Sequence, residues 1–278
     1  MAPATGNAAL AQPKKTALPF LFQFVAGMLL VSLVLSLLAV PWVDLSWWKI
    51  LRRCVSIGAA TSAWWCIKFQ GRHWRAYGLP SLGMGKRDLI FGCLLGICTL
   101  GVMFFLGLQS GVCRVNITPD KLKLWRTVLG FLPAAALVGV LEEVTFRGII
   151  LQSLLAVSRP FAIATSSLIY ALVHLKTLPV TTGTVLEIVG LFLLGGVLAM
   201  SYLWTRRLYL AIGLHAVLAY GARVNKLVID IPPTPLNWLT GTSRLVNGLA
   251  GWLALLAMGA IVLWWTRRSR GDADHGMA

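Results

Sequence analysis

The stretch LWRTVLGFLPAAALVGVLEEVTFRGIILQSLLAV, Leu124–Val157, runs for 34 apolar-rich residues, with Glu142, Glu143 and Arg147 interrupting its middle. As one helix at ~1.5 Å per residue it would reach about 51 Å. The hydrocarbon core of a bilayer is about 30 Å thick. The run therefore has to tilt, protrude or break. Ionisable groups are costly at membrane depth and face a cavity or one another. Read outward from here, the chain is an all-α, polytopic integral membrane protein.

Composition agrees. Of 278 residues, 58% are apolar and 12% charged, and the mean hydropathy is +0.78. That excludes an ordinary water-soluble globule and a disordered chain. The net charge of +16 comes from 25 Lys and Arg against 9 Asp and Glu. These cations sit between and beside apolar segments, which points to anionic lipid headgroups rather than nucleic acid. Neither a Gly-rich phosphate loop nor an aromatic–basic repeat is present. The five cysteines, Cys54, Cys66, Cys93, Cys98 and Cys113, form no C-x-x-C pair and read as reduced, buried thiols.

About eight transmembrane helices are expected: Phe20–Val40, Cys54–Phe69, Leu89–Leu106, Leu124–Val157, Pro160–Leu175, Leu186–Trp204, Leu208–Tyr220 and Leu245–Trp265. The first is too long for the apolar core of a signal peptide and reads as an uncleaved span. In regions, these are a disordered lead at 1–16, N-terminal helices at 17–123, a core at 124–222, a loop and last helix at 223–266, and a basic, polar tail at 267–278. An even number of spans puts both termini on one side. A modest excess of Lys and Arg there makes that side cytoplasmic, in a bacterial inner (plasma) membrane. No repeat of solenoid period and no pair of matching broken segments is visible.

The chain has three Glu and four His. Two of the Glu are adjacent, Glu142 and Glu143, and His174 and His215 lie in two further apolar spans. On a helix, Glu143 meets Arg147 at i+4 in the favourable acid-first order. Glu142 is rotated about 100° away and meets Phe146 instead. One carboxylate and two imidazoles around a small polar cavity have the chemistry to polarise a water, either as bases or as metal ligands. A network that only pins helix packing is the structural alternative.

At these residues the sequence resembles the CAAX protease and bacteriocin-processing (CPBP, or Abi) family of intramembrane endopeptidases, related to the Ras-converting type of CAAX prenyl protease. That family carries E-E-x-x-x-R, F-x-x-x-H and H-x-x-x-N/D motifs on successive helices. Glu142-Glu143-Val144-Thr145-Phe146-Arg147 matches the first. Tyr170-Ala171-Leu172-Val173-His174 matches the second with Tyr for Phe. His215 opens the third, but Ala219 stands where the family has Asn or Asp. The resemblance implies cleavage near the C-terminus of membrane-anchored or lipid-modified protein substrates. By the same resemblance Glu142 activates water with His174, His215 helps to hold the oxyanion, and Glu143 and Arg147 keep the geometry. A metal-free mechanism is favoured; zinc, if used, would take Glu142, His174 and His215. Tyr220 or Asn225 is the expected stand-in for the donor that Ala219 lacks. Three other readings stay open: a variant of the family that processes C-terminal sorting signals, a non-catalytic membrane immunity or binding protein of the same family, and a proton-coupled transporter with Glu142 and His174 as its relay.

Overall fold

The computed structural model describes residues 14–71, 73–174, 181–232, 234–241 and 246–275. Most of the lead, Arg72, Leu175, Pro233, Leu245 and the last three residues of the tail lie outside them. The elements run α1 (Lys14–Ala39), α2 (Trp47–Phe69), α3 (Leu82–Gln109), β1 (Arg114–Val115), α4 (Lys121–Glu143), a π-helical segment (Val144–Leu151), α5 (Gln152–Leu154), α6 (Arg159–Val173), α7 (Thr182–Thr205), α8 (Tyr209–Val228), β2 (Ile229–Asp230), α9 (Asn237–Thr240) and α10 (Leu249–His275).

The all-α polytopic class is observed. Five described segments are long and apolar enough to cross a membrane: Lys15–Trp42, Trp74–Gln109, Lys121–Leu154, Thr182–Thr205 and Leu249–Arg268. The other three expected spans are helical but fall short of that description. α6 is short, α2 carries Lys49, Arg52, Arg53 and Lys68, and α8 carries Arg223, Asn225 and Lys226 near its end. Helices also outrun the apolar stretches. α2 begins at Trp47 rather than Cys54, because Lys and Arg propagate a helix nearly as well as Leu does. The long Leu124–Val157 run is not cut into two half-spans. It stays helical, and its hydrogen-bonding register widens from α to π after Glu143.

The chain divides into two units, residues 1–81 with 141–162 and residues 82–140 with 163–278. In the first, α1 and α2 form an antiparallel hairpin. Ser62 Oγ donates to Phe24 O at 2.9 Å, and Gly58 lies against Ser32 and the Met28 carbonyl. Small residues let the two backbones approach, which is how membrane helices associate. Tyr77, fully buried, donates its hydroxyl to Gln70 Oε1 at 2.9 Å. Gln152 Nε2 donates to Ala76 O at 3.2 Å and ties the end of the π-helical segment to the same turn.

The second unit is organised on the crossing of α3 with α8. A Cβ on Gly92 would run into Leu210 O, and one on Gly213 into Leu89 O. At the end of that crossing Arg207 Nε donates to Asp88 Oδ2 at 2.8 Å. At the other end β1 and β2 form an antiparallel ladder pairing Arg114 with Asp230 and Val115 with Ile229. α10 packs along α7 and reaches α3, where Trp265 stacks on Phe91 at 3.9 Å between ring centroids. All five cysteines are free thiols; Cys54, Cys66 and Cys113 are buried as expected, but Cys93 is only half-buried and Cys98 is exposed.

Gly213 is two residues from His215, so the α3–α8 crossing sets where that imidazole stands. Gly213→Val is expected to lower stability by about 1–3 kcal/mol, because the nearest colliding atoms, Leu89 O and Cys93 N, are backbone and cannot rotate aside. Gly196→Ala, with nothing within 4 Å of the added Cβ, should leave the melting temperature of the detergent-solubilised protein unchanged.

Candidate active site

In the first unit the motif sits at the junction of α4 and the π-helical segment. Glu143 is fully buried and Arg147 is 1% exposed. Arg147 Nη1 donates to Glu143 Oε1 at 2.8 Å. The guanidinium also lies 5.6 Å from the Phe146 ring centroid, close enough for a cation–π contribution. The acid-first i,i+4 pair expected from spacing is therefore formed. At this burial the two charges depend on each other, because removing either would strand an ion away from water. Glu142, half-buried with Oε2 out of contact with solvent, is the other carboxyl of the doublet. π-helical turns are rare and concentrate at functional sites, and this one begins at the residue after the two carboxyls.

In the second unit α6 and α8 bring the two histidines onto one phenol ring. Tyr170 is 2% exposed. Its ring centroid lies 4.4 Å from that of His174 and 5.9 Å from that of His215, the latter edge-on at 85°. His174 follows the last residue of α6, and its Nδ1 lies 2.7 Å from Tyr170 O. A carbonyl only accepts, so Nδ1 carries the proton in that contact. The neutral ring then presents Nε2 as its acceptor, which is the form a base or a ligand needs. His215 is in mid-helix and 4% exposed. α7 closes behind α6 at Gly195, where a Cβ would stand 2.9 Å from Ser167 Cα.

The sequence motif places Tyr170 where the family has Phe but does not show that its ring meets both imidazoles. The only available signal was its i,i+4 spacing to His174. The two stand-ins suggested for the missing donor are placed elsewhere. Tyr220 donates its hydroxyl to Val128 O at 2.8 Å, which commits its single proton to the α4 backbone. Asn225 is ten residues beyond His215, about 15 Å along a helix axis. It lines a cavity of about 340 Å³ with Leu100, Phe104, Cys113, Ile229 and Thr240. Burial raises the Cys113 thiol pKa there, so that thiol is no ready nucleophile. His73 is exposed in the first unit, apart from the motif residues.

Zinc requires three or four converging nitrogen, sulfur or carboxylate ligands. Among the described residues, no group of three His, Cys, Asp or Glu is arranged to hold a metal ion.

Residues 124–220 match the family model described as type II CAAX prenyl endopeptidase, Rce1-like. The match takes in Glu142, Glu143, Arg147, Tyr170, His174, His215 and Ala219, the residues on which the resemblance was read. No curated protein and no solved structure matches the chain. With its apolar helices the chain is an integral membrane protein, and its residues 124–220 are similar to a protease family.

Proposed function

We propose, from a chain whose residues 124–220 match the Rce1-like family model, that the protein is an intramembrane endopeptidase. It cuts membrane-anchored or lipid-modified proteins near their C-terminus. The observation that carries this reading is the pairing of His174 and His215 on Tyr170, inside the segment matched to an endopeptidase family. Glu142 takes a proton from water, and the water oxygen bonds to the scissile carbonyl carbon while the carbonyl oxygen becomes an oxyanion. His174 shares the work of the base, with Nε2 as acceptor, and His215 stabilises the oxyanion. Collapse of the intermediate breaks the C–N bond, and the proton held by Glu142 passes to the leaving amine. Glu143 and Arg147 do no chemistry; they fix the turn that carries Glu142. The scheme requires the Glu142 carboxyl and the two imidazoles to share one water.

The same reading has α2, α6 and α8 crossing the membrane as well, for eight spans with cytoplasmic termini in a bacterial inner membrane. The length over which α2 packs on α1 supports this, since a partner of a spanning helix that runs beside it spans too. Basic turns beside the spans would meet anionic lipid headgroups.

The mechanism is proposed as metal-free. Cleavage should survive prolonged treatment with a membrane-permeant chelator, and metal analysis of purified protein should find no stoichiometric zinc. Loss of activity that zinc restores would replace this scheme with a metal-ligand one. The function itself is tested by comparing the C-termini of membrane proteins in cells with and without the protein. A set of C-termini shortened only in its presence supports an endopeptidase. Identical C-termini would favour a non-catalytic membrane protein, a reading to which Ala219 lends some weight.

A further inference from the structure

We infer that the cavity between the last turns of α3 and α8 is a lipid site: it takes one acyl chain of a bilayer phospholipid, with the ester linkage at Asn225 and the phosphate beside Arg114. Such a site stands whether or not the chain cleaves proteins. All of the lining residues belong to the second unit. Leu100, Phe104 and Leu106 come from the last turns of the span Trp74–Gln109, and Ala250 from the first turn of the span Leu249–Arg268. Hydrocarbon gives way to headgroups where spans end, so the cavity lies at the depth of a lipid's ester linkages. Leu106 is 55% exposed on a helix that meets lipid, which opens the cavity sideways to the bilayer.

The walls suit a hydrocarbon chain. Most of the lining side chains are apolar, and three of the polar ones turn their protons onto the backbone. Ser110 Oγ donates to Leu106 O at 2.7 Å, Thr240 Oγ1 to Leu236 O at 3.2 Å and Cys113 Sγ to Phe104 O at 3.8 Å. Water gains few bonds from such walls, whereas a chain gains dispersion contacts along its length. A volume of about 340 Å³ admits one chain but not a whole two-chain lipid. The remaining polar lining residue is Asn225, whose carboxamide has no hydrogen-bond partner among the described residues. A carboxamide can donate to an ester carbonyl, which only accepts. Beside the lining, Arg114 follows Cys113 and Lys226 follows Asn225, and both are exposed. Asp230 stands opposite Arg114 on the β-ladder, and the two cations outweigh that single acid, as a phosphate requires.

The test is photolabelling of the full chain in phosphatidylcholine nanodiscs doped with phosphatidylglycerol that carries a diazirine in one acyl chain. Labelled peptides are mapped by mass spectrometry. Label should concentrate on residues 100–113 and 225–231. Ala250→Phe fills the cavity and should cut that labelling by about tenfold or more, since crowded space excludes the chain. Gly196→Ala, which adds its methyl group in open space, should leave the labelling unchanged. Asn225→Leu keeps the volume and should weaken it by about fivefold, the loss of one hydrogen bond; this variant decides the matter should Ala250→Phe fail to fold. Unlabelled phosphatidylglycerol should compete, and a peptide bearing a thioether-linked lipid at its C-terminus should not. Label spread evenly over the exposed faces of α1 and α3, or unmoved by whichever of Ala250→Phe and Asn225→Leu folds, is the pattern of bulk lipid and overturns the inference. Displacement by the lipid-bearing peptide at equal concentration gives the cavity to a substrate's chain and overturns it too. Neither result removes the endopeptidase reading.

Discussion

Glu142→Gln is expected to abolish cleavage while leaving expression and melting temperature close to wild type. Glutamine keeps the shape of the side chain but replaces one acceptor oxygen with an amide NH2 that is not basic. Removing a general base typically costs about 10²–10⁴ in rate, and in the proposed mechanism the same group would also return the proton to the leaving amine. Glu142 is half-buried beside a fully buried Glu143. Cleavage rate and thermal unfolding measured on one preparation check this. A Glu142→Gln protein that cleaves at the wild-type rate would remove Glu142 from the mechanism, whatever the family match.

Glu143→Gln should behave differently, although the two carboxyls are neighbours. Arg147 would keep its charge at 1% exposure and lose the carboxylate 2.8 Å away. Breaking a buried pair by removing one partner typically costs about 3–5 kcal/mol. Both side chains are almost wholly shielded from solvent, so screening does little to reduce that figure. Stability and activity should fall together, and adding Arg147→Gln should recover part of the stability without restoring full activity. The check is a double-mutant cycle on melting temperature. Additive losses in that cycle would mean that the pair is not a unit.

The contrast follows from a spacing that was legible in the sequence. Glu143 and Arg147 are one turn apart in acid-first order, and an ion pair at that offset depends on local geometry alone. The apolar runs were legible for the same reason, since each helix is long enough to announce itself. Three features were not. The π-helical register at Val144–Leu151 is a choice between two hydrogen-bonding patterns open to the same side chains, and apolar periodicity does not distinguish them over eight residues. The start of α2 at Trp47 depended on how far a helix propagates through Lys49, Arg52 and Arg53. Tyr170 was seen as a motif residue, but its place between two imidazoles depends on how α6 packs on α8. Small residues set such packing, as Gly92 and Gly213 do for α3 on α8, and sequence spacing does not encode which partner they face.

If Glu142, His174 and His215 act on one water, their side chains must lie close together, and cross-linking measures that distance. In a background with the five native cysteines replaced, Glu142→Cys paired with His174→Cys would be treated in native membranes with a bifunctional thiol reagent carrying a two-carbon spacer. The account predicts rapid, near-complete cross-linking of that pair, and of Glu142→Cys with His215→Cys, while a control with Cys at Asn225 in place of the histidine stays unlinked. Cross-linking no faster than in the control, from thiols shown to be reactive one at a time, would contradict it.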